Sequence, residues 1–288
     1  MKLRLILKLI MRIAKVIVSI VLLIILSAVV FGTYITFIER NLLINKNYNI
    51  NVGEKGDDTL RIVQFTDTQL GEYYTLNNLE KAVKKINKLD ADIVVFTGDL
   101  IDNASIYEDL FNVSDVLKKI KAKIGKYAVY GNHDYGGSAI RYYEDIMNEA
   151  GFTVLVNNST SIEVNGQIVN IFGGDDALMG EHSVEETMYG INEEQINLLL
   201  IHEPDLIDKY KEYPIDLALS GHSHGGQVYI PFYGPAKKNI LSEKYNRGFF
   251  NIDNERETQF YVSTGLGNTK VPFRFLTIPE VAVFDINI

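Results

Sequence analysis

Asp92-Ile93-Val94-Val95-Phe96-Thr97-Gly98-Asp99 is the stretch that decides the fold. Residues 93–96 are apolar without interruption, as in a strand buried on both faces of a parallel sheet. The run ends on a glycine and a carboxylate. The same form recurs along the chain. Leu60–Thr66 delivers Asp67, and Tyr127–Tyr130 delivers Gly131-Asn132-His133-Asp134. Asn197–Ile201 delivers His202, and Asp216–Leu219 leads to Gly221-His222-Ser223-His224. A helical pattern follows each of the first three strands: Leu76–Leu89, with Leu76, Leu79, Val83 and Ile86 on one face, a second around Ile106–Ala122, and a third near Ala139–Ala150. A β-α-β-α-β-α order predicts an α/β domain built from crossover units.

The second half predicts shorter strands. Ser161–Val164 and Gln167–Phe172 flank Asn165-Gly166, a strong hairpin signal. Gln227–Ile230, Phe249–Ile252, Gln259–Ser263 and Val281–Asp285 are further candidates. Upstream, Asn47–Val52 alternates with period 2 and predicts a first strand, followed by a turn over Gly53–Asp58. The expected architecture is one domain with two sheets packed together and helices outside.

Composition narrows the chemistry. Of 288 residues, 23% are charged and none is cysteine, so any metal must be held by imidazole, carboxylate or amide oxygen. The formal charge of −9 hides an asymmetry: Lys2, Arg4, Lys8, Arg12 and Lys15 precede any acid. Without those five, 23 bases face 37 acids, a net of −14. So acidic a body repels nucleic-acid backbones, and no nucleic-acid partner is expected.

Residues 16–38 carry no charge over 23 positions, enough to cross a bilayer. The basic segment before them and the near-neutral Glu39, Arg40 and Lys46 after them place the N-terminus in the cytoplasm and the rest outside. The expected organisation is a cytoplasmic basic segment at 1–15, a transmembrane anchor at 16–38, a tether at 39–45 and the folded domain at 46–288. The rival reading, a cleaved signal peptide, calls for an apolar region of about 7–15 residues before a small-x-small site, and no clean site follows here.

The metal-ligand types concentrate at strand ends, where function gathers in open α/β sheets. Four of the five histidines, His133, His202, His222 and His224, belong to this set. Each piece alone has an ordinary reading. Gly98-Asp99 suits a strand-end turn, Asn132-His133-Asp134 a local turn, and His202 a satisfied core position. Two imidazoles at i and i+2 among glycines are harder to explain without a ligand. Outside the set, Asp175-Asp176, His182, Tyr229, Phe232 and Tyr233 read as turn, loop and rim residues. Arg247 and Arg274 are candidates for an anion contact or a surface ion pair.

The order D-x-Q, G-D, G-N-H-D, a lone His after an apolar strand, and G-H-x-H resembles the signature of calcineurin-like metallophosphoesterases. Ser263-Thr264-Gly265-Leu266-Gly267 and Pro272-Phe273-Arg274 through Pro279-Glu280 extend the resemblance to that family's membrane-anchored bacterial branch, the YaeI/YkuE-type phosphodiesterases. It implies a four-layer αββα sandwich and hydrolysis of a phosphodiester or phosphomonoester by hydroxide activated between two divalent cations, Mn²⁺ first and Fe²⁺ or Zn²⁺ as alternatives. One cation would take Asp67, position 69, Asp99 and His224. The other would share Asp99 and add Asn132, His202 and His222. His133 would face the substrate, with Asp134 orienting it. Position 69 departs from the pattern: the family usually has His, and this chain has Gln69. Gln69 either ligates through its oxygen or holds a metal-bound water. Two other outcomes stay open, a catalytically weakened binding module of the same fold and a hydrolase directed at lipid headgroups.

Overall fold

A computed structural model describes residues 2–52 and 58–288, so most of the turn expected over Gly53–Asp58 lies outside the described residues. The strands are β1 (Ile44–Asn51), β2 (Thr59–Phe65), β3 (Ile93–Phe96), β4 (Gly125–Ala128), β5 (Thr153–Val154), β6 (Asn158–Val164), β7 (Gln167–Gly173), β8 (Ile196–Leu200), β9 (Leu217–Ser220), β10 (Tyr229–Ile230), β11 (Gly234–Pro235), β12 (Gly248–Asn251), β13 (Gln259–Val262) and β14 (Glu280–Asn287). The helices are α1 (Lys2–Thr33), α2 (Leu76–Ile86), α3 (Val113–Leu117), α4 (Asn132–Tyr135), α5 (Tyr143–Glu149) and α6 (Val184–Thr187).

Two six-stranded sheets form, in the orders β1-β14-β2-β3-β4-β5 and β12-β13-β9-β8-β7-β6. β2, β3, β4 and β5 are parallel, as are β7, β8, β9 and β13. Ile62, Val95 and Val129 of the first sheet meet Ile171, Leu198 and Leu217 of the second in a shared core. A second core lies between the first sheet and α2, α3 and α5, and a third covers the outer face of the second sheet. These are the four layers of an αββα sandwich. The layer outside the second sheet is thin: a 3₁₀ turn at Pro204–Tyr210 and the single turn α6.

Local sequence accounts for the elements. Thr75 caps α2 reciprocally with Asn78, and Leu79, Ala82, Val83 and Ile86 put one face of the helix into the core. Asn165 (φ 53°) and Gly166 (φ 84°) give the β6–β7 hairpin the two left-handed residues of a type I′ turn. The helix expected around Ile106–Ala122 contracts to α3 and a preceding 3₁₀ turn: Ile106 and Phe111 face solvent, while Leu110, Val113, Val116, Leu117 and Ile120 reach the core. The third expected helix starts late, at Tyr143, after a 3₁₀ turn.

The segment 39–45 is not a free linker. Glu39 is fully buried and accepts the Thr277 N–H at 3.0 Å, Arg40 reaches the Pro272 carbonyl at 3.1 Å, and β1 begins at Ile44 beside Glu280. The strand thus starts ahead of the expected Asn47, and the polar residues of its period-2 alternation face outward on an edge strand. The preceding helix α1 buries none of its side chains and is the one element, among the described residues, long and apolar enough to cross a membrane.

Candidate metal centre

The carboxyl ends of β2, β3, β8 and β9, with the turn after β4, meet at one edge of the sandwich. Gln64 ties the two sheets there: its Nε2 donates to Thr97 Oγ1 and to the Ser220 carbonyl, both at 3.0 Å. Beyond this tie sit two groups of donors, Asp99 with His202 and His222, and Asp67 with Asp99 and His224. Within each group the donor atoms lie inside 4.8 Å of one another, and all are buried. Asp99 belongs to both. Gln69 and Asn132 open onto the same cleft, of about 600 Å³, together with His133. Five of the seven residues expected to ligate thus form the two groups, and Gln69 and Asn132 line the cleft beside Asp99, His222 and His224.

Orientation comes from the backbone. A carbonyl can only accept, so His202 Nδ1, 2.7 Å from the Thr97 oxygen, carries a hydrogen and turns Nε2 toward Asp99 Oδ2 at 3.3 Å. His222 is held the other way round: Nε2 faces the Ile240 carbonyl at 2.9 Å, leaving Nδ1 to face His202 Nε2 at 3.2 Å. Donors bonded to one ion at about 2.1 Å stand roughly 3.0–3.4 Å apart, so these separations suit a shared cation. His224 Nε2 lies 3.5 Å from Asp67 Oδ1. Asp67 in turn accepts the His222 N–H at 3.0 Å.

The backbone is strained where the donors sit. Asp67, Gln69, Asp99, His222 and His224 all have φ between 47° and 64°. Left-handed backbone at non-glycine residues costs about 1–3 kcal/mol each, and such outliers gather at functional sites. Gly98 is required for closeness: a Cβ there would lie 2.6 Å from His202 Nδ1.

Two observations test whether a cation fits. Gln69 Oε1 and Asn132 Oδ1 are buried side-chain oxygens with no hydrogen-bond partner. Gln69 spends its Nε2 on Asp99 Oδ2 at 2.6 Å, which leaves its oxygen as the free donor. An orphaned buried acceptor is costly unless something absent from the protein atoms satisfies it. The titration behaviour points the same way. Burial pushes the Asp67 carboxyl up to about 7, against the pull of His202. Burial acts upward on Asp99 too, but His202 and His133 outweigh it and hold that carboxyl below the usual range. Burial would lower His202, yet Asp99 raises it well above the ordinary imidazole value. Burial and the neighbouring His202 press His222 down to about 4. The chain's own atoms thus hold protons among converging lone pairs, where divalent cations would satisfy every donor at once.

His133 lies at the cleft wall, half-buried, with its backbone N–H on Asp99 Oδ1 at 2.8 Å. Its expected partner is elsewhere. Asp134 is fully buried, and its carboxylate accepts the backbone N–H groups of Asp99, Leu100 and Gly131, each at 2.8 Å. It braces the loops that carry Asp99 and Asn132. The residue beside the His133 ring is Asp102, whose carbonyl is 2.9 Å and whose carboxylate is 3.3 Å from Nδ1. Sequence reading passes over Asp102, since the contact spans 31 residues and no spacing marks it. The two arginines make contacts within the fold. Arg274 is fully buried and donates to the carbonyls of Thr264, Thr277 and Gly267, while Arg247 stacks 3.4 Å over the Tyr229 ring.

Comparison with known proteins agrees with the fold. The chain belongs to the calcineurin-like phosphoesterase family, whose sequence model matches residues 60–226. It is 39% identical to the metallophosphoesterase YkuE of Bacillus subtilis over 80% of each chain. It is 31% identical to the metallophosphoesterase YkoQ of the same organism, over 68% of this chain and 72% of that one. The UDP-2,3-diacylglucosamine pyrophosphatase LpxG of Chlamydia muridarum is 27% identical over 78% of this chain and 82% of its own. The protein is therefore a metal-dependent hydrolase of phosphoester bonds.

Proposed function

We propose that the chain hydrolyses a phosphodiester or phosphomonoester with two divalent cations, acting at the outer face of a membrane in which α1 is anchored. The observation that carries this reading is the pair of orphaned buried oxygens, Gln69 Oε1 and Asn132 Oδ1, in the cleft lined by two donor groups that share Asp99. The first position would be held by Asp67, Gln69, Asp99 and His224, the second by Asp99, Asn132, His202 and His222. When bound, the cations supply an activated water and neutralise charge developing on the phosphoryl oxygens. His133 protonates the departing oxygen, and Asp102 orients its ring and favours its charged form. With three oxygen donors against one nitrogen, the first position favours Mn²⁺ over softer ions.

Purified full-length protein in detergent should hold about two Mn²⁺ per chain by elemental analysis and cleave an aryl phosphodiester or monoester. A folded chain that binds no divalent cation and turns over nothing would instead be a binding module of the same fold. A second reading, a phosphoester on a lipid headgroup, is favoured by the cleft wall at Val271 and Phe273, which flank the Pro272 carbonyl bound by Arg40 at the end of the apolar helix. The similarity to a UDP-2,3-diacylglucosamine pyrophosphatase supports it as well.

A further inference from the structure

The chain leaving the metal-ligating histidines folds into a two-stranded ribbon, β10–β11, with Phe232 at its turn. Phe232 is fully exposed with φ 67°, and Tyr233 and Ile240 are 77% and 68% exposed. Large apolar surface held out in this way at a ribbon tip marks an interaction site. The root of the ribbon is rigid: Arg247 stacks on Tyr229, and Tyr229 N–H donates to the Phe275 carbonyl at 2.8 Å.

Phe275 is also where the domain meets α1. Its ring packs edge-on against Phe31 at 5.1 Å, and the neighbouring Arg274 N–H donates to the Ile35 carbonyl at 3.2 Å. Counted from Val16, where the charge-free run begins, Phe31 is about 22 Å along the helix axis at 1.5 Å per residue. A bilayer's hydrocarbon core is about 30 Å thick. The domain therefore touches α1 inside the span that lipid would occupy, and the ribbon rooted at Phe275 stands at the membrane surface.

Charge follows the same geometry. In a chain with 37 acids, residues 228–242 contain Lys237 and Lys238 and no acid, and residues 266–279 contain Lys270 and Arg274 and no acid. Lys237, Lys238 and Lys270 line the mouth of the cleft. Among the described residues, none of the three has a carboxylate within ion-pair distance. Aromatic rings beside lysines without a carboxylate partner are the composition of a bilayer interface rather than of a protein-protein interface core, where charge is depleted.

We propose that the β10–β11 ribbon is a second membrane contact. The rings of Phe232 and Tyr233 enter the headgroup boundary of a bilayer containing anionic lipid, Lys237, Lys238 and Lys270 face its phosphates, and the cleft opens onto the bilayer surface. This rests on α1 crossing the membrane, and the test separates the two. The chain has no tryptophan, so one substitution creates a single fluorescent reporter. Phe232→Trp at the ribbon tip, Leu26→Trp in α1 and Ile168→Trp at the far end of β7 are made separately in the full chain. Each is reconstituted in vesicles of phosphatidylcholine with phosphatidylglycerol.

Brominated phosphatidylcholine should quench the ribbon reporter by at least half as much as the α1 reporter. Iodide should leave the ribbon reporter bright, and the β7 reporter should behave oppositely to it. Replacing Lys237, Lys238 and Lys270 by Glu should cut bromolipid quenching of the ribbon reporter at least two-fold. A quenched α1 reporter with an iodide-accessible ribbon reporter overturns the ribbon contact and leaves the anchor intact. Bromolipid quenching of neither overturns the anchor. A ribbon reporter shielded from iodide but untouched by bromolipid identifies a second protein copy as the occupant and overturns the proposal. Hydrolysis of a soluble aryl phosphodiester in detergent, within two-fold of the parent for Phe232→Trp, controls for folding.

Discussion

The guanidinium Nη2 of Arg274 stands 3.4 Å from Nδ1 of His224. His202 and His222 each have a backbone carbonyl behind the ring, which fixes the tautomer and raises basicity toward a cation. His224 has a cation there instead. Burial and then Arg274 hold its imidazole well below the ordinary value. Gln69 belongs to the same position in the ligand sets proposed above. On that proposal the first position is weakened twice, by an amide donor in place of an imidazole and by an imidazole made less basic.

The two cations should therefore leave in separate steps. Titration with a chelator, followed by elemental analysis, should release one ion per chain before the other. Gln69→His should tighten the first-released ion by about 10–100-fold, the range seen when ligand surroundings change. Simultaneous loss of both ions, unaltered by that substitution, contradicts the assignment.

His133→Ala should lower kcat about 10²–10⁴-fold, the usual worth of a positioned acid, while two ions stay bound. Asp102→Asn should act more gently, through His133. Burial lowers that imidazole, but Asp99 and then Asp102 raise it above its ordinary value. An acid must be protonated, so activity falls as pH rises through its pKa. Removing the Asp102 charge should shift that alkaline limb to lower pH, read from a pH profile of kcat.

Arg274→Ala should strip three buried carbonyls, those of Thr264, Thr277 and Gly267, of their donor. Each unsatisfied group costs about 1–3 kcal/mol, so a loss of at least about 3 kcal/mol is expected in urea unfolding. Arg274→Lys should rescue little of it, because one ammonium cannot reproduce a planar fork. Full stability in the alanine protein would show that water replaces the guanidinium.

The metal-stripped protein should lose stability as pH rises from about 6.5 to 8.5, the window above the ordinary imidazole value. Below that window opposing shifts offset one another. Asp67 and Asp134, both pushed up to about 7 chiefly by burial, keep protons that the unfolded chain has shed, whereas His222, pressed down to about 4, and His224 lack protons that it keeps. Above the unfolded imidazole value only raised groups remain. His202, held high by Asp99 against burial, stabilises the fold while protonated, and that stability is lost as pH rises through its folded value. Bound cations displace these protons, so the Tm gained on adding Mn²⁺ should grow with pH. A gain that shrinks over this window would reverse the sign and sink the account.

Much of this was legible in the chain because it depends on local pattern. Apolar strands ending in Asp67, Asp99, Asn132, His202 and His222 announce both the parallel sheets and the edge where donors meet, and Asn165-Gly166 announces its hairpin. Helix ends and partners are less visible. Nothing local shows that the 106–122 pattern closes into one turn, that Asp134 spends its carboxylate on three amides, or that residues 39–45 dock on the domain.

The sequence by itself determined the class of chemistry and which donor residues stand at strand ends, since donor type and position at a strand end are local properties. Tertiary structure alone decided how those donors are used. It set Asp102 rather than Asp134 beside His133, put Arg274 behind His224, left Gln69 Oε1 bare, and tied the ribbon's root at Tyr229 to Phe275, whose ring meets Phe31 of α1. Each is a contact between segments distant in the chain, and such contacts follow from how two packed sheets and their loops share space, which no local periodicity records.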